Sequence, residues 1–228
     1  MGRPVKLSDR NKKWFLQSLP CGERRLDTRE ERQRFLIVCE GEKTEPNYFE
    51  SFKQALPQHV VQLEIFGEGA STLSLIARAQ ALRDSRKFGD YPFDQVWVVF
   101  DRDSFDPDDF DNATHKAESD GMRCAWSNEA FELWYILHFE FRNSGMPRTE
   151  YQGKLGKLPR EIYRKNASDM YQKLLRIGKQ SQAVTWAKAL HDGFLASEVP
   201  PSRSNPCTTV YLLVEQLNLF KPSDHCCP

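Results

Sequence analysis

The chain has 228 residues, 39% of them apolar, enough for one substantial core or for a core with a helical appendage. Its 32 basic side chains balance 32 acidic ones, which does not point to a wholesale polyanion binder and leaves the distribution of charge as the informative quantity. No run approaches the ~20 apolar residues needed to cross a bilayer and the first residues carry no apolar leader, so a cytoplasmic location without membrane attachment is expected.

Residues 1–34 hold ten Lys or Arg against five Asp or Glu and read as a basic arm. An α/β core is expected over 35–147. It opens with the apolar run FLIVC (35–39), a strand suited to burial on both faces. TEPNYFESFKQAL follows as a helix, with Thr44 as its N-cap, Pro46 in its first turn, and Tyr48, Phe49, Phe52 and Leu56 on one face. VVQLEIF (60–66) is a second strand, STLSLIARAQALRDSR a second amphipathic helix, and QVWVVFD (95–101) the most apolar strand. DPDDFDNATHKAESD reads as an acidic helix, MRCAWS (122–127) as a fourth strand, and NEAFELWYILHFEF as an apolar helix. Strand and helix in regular alternation predict a mainly parallel sheet flanked by helices on both faces. From 148 to 228 only helical patterns remain: 159–165, 168–177, 180–195, and 206–220 with Asn205 as N-cap and Pro206 at its first position. This C-terminal region is expected to be all-helical, basic and packed on the core. Among six cysteines there is no CxxC pair and no zinc-like spacing. Cys39 and Cys124 read as buried thiols, and Cys226 and Cys227 lie in the tail.

The acids carry the chemistry. In open α/β sheets ligands bind beyond the carboxyl ends of the strands. The first strand runs into Glu40, the third into Asp101 with Asp103 two residues on, and the fourth into Ser127–Asn128 with Glu129 and Glu132 following. Three strands thus deliver carboxylates to one edge. Gathered like charges repel, and a hard divalent cation, Mg²⁺ or Mn²⁺, is the partner such oxygen donors suit. Gly41 allows close approach and positive φ there. Glu42 reads as a solvated acid at a helix start, Glu45 equally as such an acid or as a ligand. The run Asp106, Asp108, Asp109 and Asp111 reads as a cap and a wet face, and His138 as a packed histidine. Glu132, in an apolar helix, is expected to be partly buried, with an Arg partner as the simpler reason.

Charge is laid out in blocks: residues 101–120 hold eight acids and two bases, residues 148–188 ten bases and three acids. The basic block (Arg148, Lys154, Lys157, Arg160, Arg164, Lys165 and onward) reads either as a solvated helical face or as a track for a nucleic-acid backbone, with Lys43 and Arg102 near the acids as further phosphate contacts.

FLIVCEGEKTEPNYFESF, VWVVFDRDSFD, SNEAFELWYILHFE and NPCTTVYLLVEQL together resemble the RloB-like family. The Glu-Gly strand followed by an Asp-x-Asp strand resembles the Toprim domain of topoisomerases, primases and nucleases of the overcoming-lysogenisation-defect type. The resemblance implies a Mg²⁺-dependent nuclease, acting on DNA or RNA in phage defence with a separately encoded ATPase. It places the acid–base or metal role on Glu40, metal binding on Asp101 and Asp103, a further acid on Glu45, and a second metal's carboxylate on Glu132 with Glu129. The chain has no GxxxxGK[ST] loop, so ATP hydrolysis falls to the partner. Two other readings stand beside it. One is a haloacid-dehalogenase-like phosphatase with Asp101 as nucleophile, although that family's motif lies on its first strand. The other is a non-catalytic sensor or scaffold for the ATPase.

Overall fold

A computed structural model describes residues 32–69, 72–87, 91–102, 106–157 and 163–222. The basic arm up to residue 31, Asp103, Arg160 and the tail cysteines Cys226 and Cys227 lie outside the described residues. The alternation read from the sequence is present: β1 (Gln33–Cys39), α1 (Thr44–Lys53), β2 (Val61–Gly67), α2 (Thr72–Lys87), β3 (Gln95–Asp101), α3 (Pro107–Ser119), β4 (Arg123–Ser127) and α4 (Glu132–Ile136). After these come α5 (Arg148–Leu155), α6 (Met170–Ile177), α7 (Gln180–Ala196), a 3₁₀ turn (Pro201–Arg203) and α8 (Val210–Asn218). The four strands form one all-parallel sheet in the order β2-β1-β3-β4.

The central strands β1 and β3 are covered on both faces, which is why their sequences are continuous apolar runs rather than alternating ones. Phe35, Ile37, Cys39, Trp97 and Val99 point into one core, shared with α1 and with α4 to α8. Leu36, Val38, Val96, Val98 and Phe100 point into the other, against Leu75, Ile76 and Ala79 of α2 and Phe110, Ala113 and Ala117 of α3. The C-terminal helices therefore complete the main core instead of forming a core of their own. Tyr171 of α6 stacks on Phe52 of α1 with ring centroids 4.3 Å apart, and Phe220 meets Phe35 edge-on at 5.8 Å. Among the described residues no helix is long and apolar enough to cross a membrane.

Several expected boundaries move, each for a hydrogen-bonding reason. Thr44 is the first residue of α1 rather than its cap, and its hydroxyl donates to Asn166 Oδ1 at 3.3 Å. The helix expected over 128–141 shrinks to Glu132–Ile136: Glu129 takes φ 73°, outside the right-handed helical region, while the Asn128 N–H donates to Cys207 O at 2.8 Å and the Phe131 N–H to Asp101 Oδ2 at 3.0 Å. The last helix begins at Val210, not at Pro206. Residues 207–209 lie along the end of β4, with Ser127 bridged to Thr208 and the Thr209 N–H donating to Trp126 O at 2.8 Å. Residues 163–165 are not helical, whereas Arg148–Leu155 is, burying Tyr151 and Leu155 one turn apart.

Phe52 is wholly buried between the sheet's own first helix and the C-terminal region. Phe52→Ala is expected to cost about 3–5 kcal/mol, measured as a lower denaturant midpoint in a single cooperative transition. Separate melting of the C-terminal helices would contradict the shared core.

Candidate carboxylate site at the sheet's switch point

With the order β2-β1-β3-β4, the chain steps outward from β1 to one side and from β3 to the other, so the crevice beyond the carboxyl ends of β1 and β3 is the topological switch point. Glu40 follows β1 and Asp101 closes β3. The Asp101 backbone N–H donates to Glu40 Oε2 at 3.1 Å, and the Glu40 N–H donates to Val99 O at 2.8 Å. Asp101 is 5% exposed. Its Oδ2 accepts from the Phe131 N–H, while its Oδ1 is buried without a hydrogen-bond partner among the described residues.

Two further acids close on this pair. Glu45, the second residue of α1, is buried, and among the described residues its Oε2 also has no hydrogen-bond partner. Its carboxylate lies over Gly41, where any Cβ would overlap it. Gly41 does not adopt positive φ. Of the two expected reasons, the space left by the absent Cβ is the one that applies here. Gly67, at the end of β2, serves the same loop: a Cβ there would stand 2.8 Å from Gly41 O and 2.9 Å from Glu42 O. Glu132 opens α4, is 5% exposed, and its Oε1 accepts from the Tyr163 hydroxyl at 2.6 Å.

Burial above all, and then the negative fields of Glu45 and Glu132, raise the Asp101 carboxyl well above the ordinary carboxylate range; the Phe131 N–H and Arg148 oppose this. Glu45 is raised chiefly by burial, with Glu132 adding to the shift and its own backbone N–H and Arg148 working against it. Arg148, at the start of α5, thus sits in the field of the acids. Its charge compensates the cluster from within the chain.

The other expected residues are placed differently. Glu129, at φ 73°, faces Arg102 at 3.6 Å, so its near neighbour is a cation. Arg102 is partly buried, and its Nε has no hydrogen-bond partner. Glu42 and Lys43 are exposed. Asp106 caps α3 through the Asp108 N–H at 2.9 Å, Asp108 and Asp109 are exposed, and Asp111 takes the Ser202 N–H and hydroxyl at 2.8 and 2.6 Å: a cap, a wet face and a loop anchor. His138 is packed against Trp134, with its Nδ1 2.9 Å from Trp134 O, and burial pushes the imidazole down to about 4. Lys154 pairs with Glu140, whereas Lys157, Arg164 and Lys165 are exposed. The sequence reading missed Tyr163, which stands in a run expected to be helical and carries no motif of its own.

Among the described residues no three His, Cys, Asp or Glu side chains form a group ready to hold a metal ion. The donor chemistry still fits a hard divalent cation: every group is a carboxylate, and two buried oxygens, Asp101 Oδ1 and Glu45 Oε2, lack any hydrogen bond.

A protein-family model described as RloB-like protein matches residues 35–217. The chain belongs to the RloB-like family. Comparison with curated proteins and with solved structures returns no match. The matched segment of this RloB-like protein contains Glu40, Glu45, Asp101, Glu132, Arg148 and Tyr163, so sheet, acids and compensating groups all lie within the family unit.

The raised Asp101 carboxyl makes the fold pH-sensitive with a definite sign. Its stabilising contribution is complete below the unfolded value of about 3.9 and is lost as pH rises through the higher folded value. Asp101→Asn should therefore melt together with the parent near pH 4 and about 2–6 °C above it near pH 8, without added metal. A variant less stable than the parent at the alkaline end would contradict the placement of a strained carboxylate at this position.

Proposed function

We propose that this RloB-like protein is a metal-dependent nuclease with a Toprim-type centre built from Glu40, Asp101 and Glu132. Glu45 adds a fourth carboxylate, and Asp103 is a further donor two residues beyond Asp101. The observation that carries the reading is the pair of buried carboxylate oxygens without hydrogen bonds, Asp101 Oδ1 and Glu45 Oε2, at the switch point of a parallel sheet. Leaving two such groups unpaired costs several kcal/mol, which a bound cation offsets. Bound among these carboxylates, Mg²⁺ or Mn²⁺ supplies Lewis-acid polarisation of a phosphoryl oxygen and acidifies a coordinated water.

The chain's own groups supply the rest. Glu40 is only part buried, and one of its oxygens is fixed by the Asp101 N–H, which makes it the acid placed to exchange a proton with the substrate's surroundings. Arg148 lowers the repulsion among the acids and offers a guanidinium to a phosphate entering the crevice. Arg102, beside Asp101 and held towards Glu129, and the exposed Lys43, Lys157, Arg164 and Lys165 offer backbone contacts to DNA or RNA. The reading extends to a role in phage defence, with ATP hydrolysis on a separate partner, and membership of the RloB-like family supports that extension.

The test is cleavage of plasmid, single-stranded DNA and tRNA by purified protein with Mg²⁺ or Mn²⁺. Glu40→Gln and Asp101→Asn should each lose about 10²–10⁴-fold in rate. Cleavage should weaken as salt displaces the phosphate contacts. Undiminished metal-dependent cleavage by both variants would overturn the assignment. In the same samples Mg²⁺ should raise the melting temperature of the parent more than that of Asp101→Asn.

A further inference from the structure

The acids of the site come from the sheet and its first crossovers, yet one of them is held by a residue from far along the chain. The Tyr163 hydroxyl donates to Glu132 Oε1 at 2.6 Å, at the short end for an O–H···O bond and in the range of charge-assisted ones. Tyr163 lies outside the helices, in an irregular stretch leading to α6. That stretch is tied down a second time three residues later. Asn166 takes φ 62°, a left-handed conformation that Asn tolerates better than most residues. Its carbonyl accepts from Asn47 Nδ2 at 2.9 Å and its Oδ1 from the Thr44 hydroxyl at 3.3 Å. Thr44 and Asn47 flank Glu45 in the first turn of α1.

Residues 163–167 are thus a strap with one hook on Glu132 and the other on the helix end that carries Glu45. The Ala167 N–H closes it on Arg164 O at 3.0 Å. A ring serving only to fill space would leave its hydroxyl to solvent or to a carbonyl. Here it is spent on a buried carboxylate, and the phenol ring lies half-buried, 6.4 Å from Tyr135.

We infer that Tyr163 is a positioning residue: its hydroxyl bond fixes the Glu132 carboxylate as a cation ligand, and the Asn166 hooks keep Glu132 and Glu45 in register. The inference rests on the cation-binding reading above. Hydrogen bonds to a ligating carboxylate set its orientation, and losing one typically weakens a metal site by about 10–100-fold.

The experiment is Mn²⁺ binding to the full chain, followed by electron paramagnetic resonance of free Mn²⁺, for the parent, Tyr163→Phe, Glu132→Gln and the double variant. Cooperative melting checks that each is folded. Tyr163→Phe removes only the hydroxyl and is expected to raise the Mn²⁺ dissociation constant about tenfold or more. The double variant is expected to bind no worse than Glu132→Gln alone, because Tyr163 acts through that carboxylate. Unchanged affinity in Tyr163→Phe, or losses that add in the double variant, would overturn the role of Tyr163 while leaving the cation site standing. Failure of the parent itself to take up Mn²⁺ would overturn both.

Discussion

The hydrogen bond from the Phe131 N–H to Asp101 Oδ2 is the contact on which the local architecture turns. It holds a carboxylate in a dry crevice beside Glu45 and Glu132, where repulsion and desolvation both oppose an ionised group. To provide it, the chain leaves β4 through an irregular passage with Glu129 at positive φ, and α4 begins only at Glu132. Gly41 clears the space that Glu45 fills, Arg148 brings a positive charge, and Tyr163 binds the remaining acid. These features come from five separate stretches of chain. Each is unexceptional alone, and together they keep several negative groups closer than water would allow.

The fold was legible because burial on both faces leaves an unmistakable trace. The runs around Ile37 and Val98 contain no polar residue to make a solvated face, and the helices between them carry apolar stripes. Glu40 and Asp101 were legible for the complementary reason: acids directly abutting such runs are placed at the strand ends by the register itself. What escaped is what depends on long-range hydrogen bonds. Nothing near Asn205 announces that residues 207–209 pair with β4, since the partner N–H groups lie about 80 residues earlier in sequence. Nor does anything around Tyr163 announce Glu132, because a tyrosine in a basic, polar stretch has the same local pattern whether its hydroxyl meets water or a buried acid. Of the two reasons read for Gly41, absence of a side chain applies and positive φ does not; a glycine's local sequence does not distinguish the two.

The basic block likewise divides once its partners are visible. Lys154 and Lys173 are matched with Glu140 and Asp169 on the surface, where such pairs contribute little to stability. Arg148 lies in the field of the acid cluster, where its charge opposes the rise of Asp101 and Glu45. Lys157, Arg164 and Lys165 remain exposed. A net charge of zero thus conceals three uses of cations: surface pairing, internal compensation and presentation to solvent.

The pairing of residues 207–209 with the end of β4 bears on how the chain matures at the ribosome. Among the described residues the Asn128 N–H and both backbone groups of Trp126 find partners in Cys207 and Thr209, so the edge of β4 stays unfinished until the nascent polypeptide has been extended about 80 residues further. Arg148 and Tyr163 emerge well after the acids they serve. The finished crevice therefore waits for chain beyond the acids themselves, and a translation product that stops between Glu132 and Arg148 carries the acidic cluster without the groups that tame it.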